Sequence, residues 1–153
     1  MSLGRALLPI LLLMGWQVLS TCFAAVPDNS RSGSDRLAPC PSSPNCVSSQ
    51  ATGGYHAIPP ITFSGPGEGA LKTLTAVLQK MKRTRIITVS PDYLRAEFRS
   101  FLGFVDDVEF SIDQEQHLIH MRSASRLGYW DLGVNRRRLE AIRAEFNKPP
   151  KSK

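Results

Sequence analysis

The sequence is short of the residues that most enzymatic chemistry needs. Histidine occurs three times, as His56, His117 and His120, so a base of that type has few places to stand. No serine sits in a G-x-S-x-G elbow, and there is no phosphate loop, dinucleotide fingerprint or internal repeat. These gaps exclude the familiar hydrolase, nucleotide-binding and solenoid signatures. Cysteine is equally sparse, at Cys22, Cys40 and Cys46. Two thiols six residues apart without a neighbouring histidine make a poor metal site, so neither a metal nor a cofactor is expected. Acidic residues are outnumbered, 13 Asp and Glu against 19 Lys and Arg, and none lies in the first 25 residues.

That first stretch has its own character. Arg5 precedes the apolar run Ala6–Met14, and small residues follow at Cys22–Ala25. This is the layout of a secretory signal over residues 1–25, too short to span a membrane comfortably, with cleavage after Ala24 or Ala25. Leu19-Ser20-Thr21-Cys22 also resembles a lipobox, which would make Cys22 a lipidated N-terminus, although Thr21 departs from the usual small residue there. Export would place the chain in a bacterial periplasm, soluble or lipid-anchored. It would also leave 18 basic residues against all 13 acidic ones. Such a balance favours anionic partners or membranes. The excess concentrates in Arg136-Arg137-Arg138 and in a basic tail over 149–153, and an exported chain has little call on nucleic acid.

Residues 26–37 are polar and rich in Gly, Ser and Asp, as a flexible linker is. A single domain is expected over 38–148. Its first part, Pro39 to Pro60, shows neither helical nor strand period and is expected to lie extended over one face of a sheet. Within it CPSSPNC brings Cys40 and Cys46 close in sequence. In an oxidising compartment such a pair forms a disulfide; free thiols and a metal are the alternatives.

Ser64-Gly65-Pro66 opens a helix, with Ser64 or Gly65 capping and Pro66 in the first turn. Leu71, Leu74, Val77, Leu78 and Met81 recur at helical spacing as its core stripe. Four strands follow, Arg85–Ser90, Tyr93–Phe101, Phe104–Ile112 and His117–Arg126. In the last three, apolar residues alternate with charged ones. A turn centred on Gln114-Glu115 sets Phe110 opposite Ile119 and Val108 opposite Met121. The same register sets Asp107 opposite Arg122 and Glu109 opposite His120. A turn over Leu102-Gly103-Phe104, with Gly103 at positive φ, would bring Arg99 beside Asp107. Asp106 falls on the apolar face, where a carboxylate needs donors. Ser123, Ser125 and backbone N–H groups are the candidates. Asp131 or Asn135 caps a final helix that buries Leu139, Ile142 and Phe146, with the arginines on its other faces. The fold expected is therefore α+β: a small antiparallel four-stranded meander flanked by two helices, with an extended N-terminal segment.

CPSSPNCVSS, GFVDDVEF and above all RSASRLGYWDLGVNRRRLEAIR resemble the domain of unknown function 1499 family, over about Cys40 to Phe146. The resemblance implies a shared fold and supplies no established activity. Function must then be read from side chains. Arg122 and Arg126 stand four apart on one strand face, suited to gripping a carboxylate or phosphate, with Asp107 and Glu109 orienting them and the last helix's N-terminus adding donors. The bland alternative is that both arginines only pair with Asp107, Glu97 and Asp131. The expected function is a non-enzymatic binding or accessory module of the envelope, recognising an anionic small molecule or a partner protein. Membrane association would run through Cys22 or the basic tail. An enzyme of open reaction type, hydrolysis being the candidate, using Asp106 or Glu109 with a histidine is the alternative, and a purely structural envelope protein a third.

Overall fold

The computed structural model describes residues 37–149. The signal over 1–25, Cys22, all but the last residue of the 26–37 linker, and the tail from 150 onward lie outside the described residues. Alternation of apolar and polar side chains produces three strands with one buried face each: β4 (Tyr93–Arg99), β5 (Val105–Asp113) and β6 (Leu118–Ser125). With β3 (Thr84–Ser90) they pair antiparallel in chain order, as a meander does. β3 is the outer strand, and its pairing with β4 is interrupted by a bulge between Ile86 and Thr88, a common feature of sheet edges.

The sheet has six strands, not four. The segment before the first long helix supplies β1 (Cys46–Ser48) and β2 (Ile61–Thr62). Both pair antiparallel with β6, β1 along its C-terminal half and β2 at its start, so this segment lies at an edge and does not cross a face. At three and two residues, these strands are too short to display a period of two. Val47 and Ile61 are their inward residues, and both are buried. Without them β6 would have unpaired backbone groups beside buried side chains. The disulfide Cys40–Cys46 forms, with Cα atoms 5.6 Å apart. Closing so short a loop contributes roughly 2 kcal/mol in chain-entropy terms, and it fixes the start of β1.

Both hairpin registers differ from the expected ones by two residues, so every side chain keeps its face while changing its neighbour. Ile112 faces Ile119, Phe110 faces Met121 and Val108 faces Ser123. The turn is the four residues Gln114 to His117, with His117 at φ 54° and the Gln116 N–H donating to Asp113 at 2.8 Å. A two-residue turn would demand positive φ at Gln114, and in the type I′ form at Glu115 too, which neither residue favours. The β4–β5 loop runs from Ser100 to Phe104, with Gly103 at φ 87° as expected. Phe104 therefore leaves the strand and is exposed, and Arg99 faces Val105, not Asp107.

Helix α1 (Gly67–Lys80) buries Ala70, Leu74, Val77 and Leu78, with Leu71 and Met81 partly buried at the margin. Pro66 stands at its N-cap position, and the first N–H, from Gly67, is received by the Gln114 side chain. Neither Ser64 nor Gly65 caps it. Helix α2 (Val134–Phe146) buries Leu139 and Ile142, with Phe146 partly buried. Both helices cover the apolar face of the sheet, closing a core around Leu94, Phe110, Ile119 and Met121. The core, the helices and all six strands lie within the described span, so the span carries what a domain needs to fold. None of its helices is long and apolar enough to cross a membrane.

Candidate functional site

The sheet face away from the helices carries the charged residues in rows across the strands. One row reads Ser48, Arg122, Glu109, Arg95; the next reads Cys46, Ala124, Asp107, Glu97. Glu109 therefore faces Arg122, where His120 was expected, and Asp107 faces Ala124, where Arg122 was expected. Arg122 Nη1 donates to Glu109 Oε2 at 2.8 Å, and the Tyr93 hydroxyl donates to Oε1 at 2.8 Å. Glu109 is only 1% exposed, and these two donors are what let a carboxylate stay there. Asp107 receives Arg126 Nε at 2.8 Å and Arg95 Nη2 at 3.1 Å, while Arg126 also reaches Glu97. Burial pushes the Asp107 carboxyl up, but the hydrogen bonds and charges of Arg126 and Arg95 outweigh it and hold it below the usual value. Its hydrogen bond in turn pushes the Arg126 guanidinium further up. The four residues expected to grip a ligand thus lie on one face, and each is engaged with a partner of opposite charge. Arg122 keeps a buried Nε with no hydrogen-bond partner among the described residues.

A groove of about 850 Å³ opens beside this face, along the β1 edge. Residues 37–40 and 48–53 form much of it, and His56 and His120 stand in its wall. Ser48, which faces Arg122 across the strands, lines it too. His56 Nδ1 lies 2.8 Å from the Cys46 carbonyl. A carbonyl only accepts, so Nδ1 carries the proton and Nε2 is the remaining ring nitrogen. His120 Nδ1 lies 3.3 Å from the Ser49 hydroxyl. His56 sits on a short 3₁₀ turn (Gly54–His56), and no periodicity in the sequence marks that turn or the groove.

On the opposite face, under α2, lies a second polar cluster. Asp106 does point inward and is buried, with no bulge turning it out. It faces Ser125, not Ser123, and its donor is neither serine. Arg138 Nη2 donates to it at 2.5 Å. Arg138 also donates to Ser123 at 3.0 Å and to the Asn135 side-chain oxygen at 2.7 Å, and its guanidinium lies 4.8 Å over the Phe98 ring. Asn135, fully buried, donates to the Asn45 carbonyl at 2.9 Å and the Ser125 hydroxyl at 3.0 Å. The Asn45 side chain closes the circuit on the Gly128 carbonyl. Asp131 takes the N–H groups of Gly133 and Asn135 at 2.9 and 2.7 Å. The helix N-terminus expected to help bind an anion is therefore already occupied by Asp131.

Most residues that converge here come from two stretches of distinctive composition, Asn45 from CPSSPNC and Ser123, Ser125, Asp131, Asn135 and Arg138 from RSASRLGYWDLGVNRRR, while Asp106 comes from GFVDDVEF. The model of a family described as Protein of unknown function (DUF1499) matches residues 36–146. The chain belongs to the DUF1499 family. A search of curated proteins finds no match. Membership thus accounts for the domain and leaves its activity open. The DUF1499 stretch that carries the resemblance most strongly builds the joint between β1, β6 and α2 more than it lines the groove.

The arginine run that follows is likewise engaged. Arg136 donates to the carbonyls of Tyr55 and Ala57, Arg137 to that of Leu132, and Arg143 to that of Pro59. Two of these pin the N-terminal segment to α2. Among the described residues no three His, Cys, Asp or Glu side chains gather as a metal site requires. Sequence reasoning missed Arg138 and Asn135 as buried groups. The signal was there, since 135, 138, 139 and 142 share one helical stripe.

Proposed function

We propose that this DUF1499 protein is a non-enzymatic binding or accessory module of the cell envelope, exported to the periplasm, that takes an anionic group or a segment of a partner protein in the groove at the β1 edge. The groove itself carries the reading. It combines concavity, apolar lining from Leu37 to Pro39, hydroxyls, and two histidines beside an arginine-bearing face, which is how small-ligand sites are commonly composed. The carboxylates support it from the other side. Glu109 is held by Arg122 and Tyr93, and Asp106 by Arg138 on the face opposite His120. Both carboxylates are thus bound to cations, and Asp106 lies on the other face of the sheet from His120.

Thermal unfolding of residues 26–153 with inorganic phosphate and a panel of small carboxylates tests this. A ligand held at about a hundred times its Kd would stabilise the fold by roughly 2.7 kcal/mol. The Tm should rise by several degrees and saturate. Thr52→Trp, an exposed position on the groove wall, should abolish the rise while leaving the unliganded Tm near wild type. An equal rise in both proteins, or none with any anion, would remove the groove from consideration as an anion site.

A further inference from the structure

Two loops at one end of the sheet carry large apolar side chains into solvent. The β4–β5 loop presents Phe101, Leu102 and Phe104; the β6–α2 loop presents Leu127, Tyr129, Trp130 and Leu132. Each is between 51% and 84% exposed. Antiparallel pairing brings the loops together, because β5 begins where β6 ends. The Arg126 N–H donates to the Val105 carbonyl at 3.1 Å across that junction. Single exposed apolar residues are ordinary, but seven on two adjoining loops are not.

The exposed charge around them that has no opposite partner among the described residues is basic. Lys82, Arg83 and Arg99 are exposed at this end and have no carboxylate partner among the described residues. The Arg83 guanidinium lies 5.5 Å over the Phe101 ring, a cation resting on an apolar tip. The carboxylates nearby are all engaged: Glu97 with Arg126, Asp106 with Arg138, Asp107 with Arg95 and Arg126, and Asp131 with backbone N–H groups.

We propose that this end of the domain docks on an anionic phospholipid surface, the two loops entering the interface and Lys82, Arg83 and Arg99 meeting lipid phosphates. Trp and Tyr suit the level where acyl chains give way to headgroups. Basic side chains at the rim suit the negative leaflet surface, and long ones can lay their stems on the apolar tips. The apolar residues are loop tips that project, where a peptide-binding site would be concave. This surface is separate from the groove and does not depend on it.

The test uses residues 26–153, in which Trp130 is the sole tryptophan because Trp16 lies outside. The protein is mixed with phosphatidylcholine vesicles made with and without phosphatidylglycerol. With phosphatidylglycerol, Trp130 emission should shift to the blue and the protein should sediment with the vesicles, less so at high salt. Leu102→Ser/Leu132→Ser keeps the reporter and removes only exposed atoms; it should weaken binding by at least about tenfold. Lys82→Gln/Arg83→Gln should weaken binding to the anionic vesicles alone, and Thr52→Trp in the groove, which adds a second tryptophan, should leave the sedimented fraction unchanged. Folded protein that stays in the supernatant with no blue shift overturns the proposal. So does sedimentation unaffected by the leucine substitutions, which would move the contact to the basic tail. Reversible dimerisation lost in that same variant, without vesicle binding, would overturn it in favour of a second copy of the chain.

Discussion

Removing Arg138 should be among the most damaging single changes available in this domain. Arg138 and Asp106 are both largely withdrawn from water, with side chains 9% and 7% exposed, and the guanidinium also serves Ser123 and Asn135. Arg138→Met keeps an apolar stem over Phe98 but leaves Asp106 with no cation. Breaking a buried pair by deleting one partner costs about 3–5 kcal/mol, mostly for the charge left behind. Whole domains hold only about 5–15 kcal/mol, so the variant should lie near the edge of folding. Urea unfolding at neutral pH, followed by far-UV circular dichroism, should show a lower midpoint at unchanged slope. Asp106→Asn/Arg138→Met should be more stable than Arg138→Met alone, since the stranded charge is gone, with a coupling of about 1–3 kcal/mol. The double variant keeps the test informative if the single one does not fold. A loss below about 1 kcal/mol for Arg138→Met, or a double variant no better than the single, would refute the role given to this pair.

Asp107 carries a pH signature. Its folded pKa lies below the ordinary 3.8, so its contribution is fully present above that value and is lost as pH falls through the depressed one. Asp107→Asn should lower Tm by a few degrees at neutral pH, and the gap to wild type should close in acid; a gap that persists or widens there would contradict the ion-pair account. At α1, Gln114→Ala should cost about 1 kcal/mol by leaving the Gly67 N–H without its acceptor. Gly67→Ala should do similar harm by another route, because the added methyl would sit 2.5 Å from Gln114 Oε1 and 3.2 Å from Ile112 Cγ2. Chemical denaturation compares the two, and a neutral Gln114→Ala would return the cap to solvent.

Wherever a pattern spanned several residues, the sequence could be read. The alternation along Tyr93–Arg99 and Leu118–Ser125 assigns faces by parity, and parity survived when both registers moved by two. The stripe through Leu74, Leu78, Leu139 and Ile142 marks the helical core in the same way. What could not be read depends on single residues or distant ones. β1 and β2 contribute one inward side chain each, too few for a period. The register of β5 on β6 turns on whether His117 accepts a left-handed conformation, which no average propensity reports. Asp106 was recognisable as an inward carboxylate, but its partner lies 32 residues away on a helix whose arginines looked like a solvent face. The candidate ligand residues Arg122, Arg126, Asp107 and Glu109 were placed on one face correctly. Their pairing, and the groove beside them, required the fold.

Native mass spectrometry of residues 26–153, prepared gently from an exported fraction, puts the binding reading to its most direct test. The account predicts an added mass that survives in wild type and is missing from folded Thr52→Trp. A bare protein mass in both, or an adduct that Thr52→Trp retains, would contradict it.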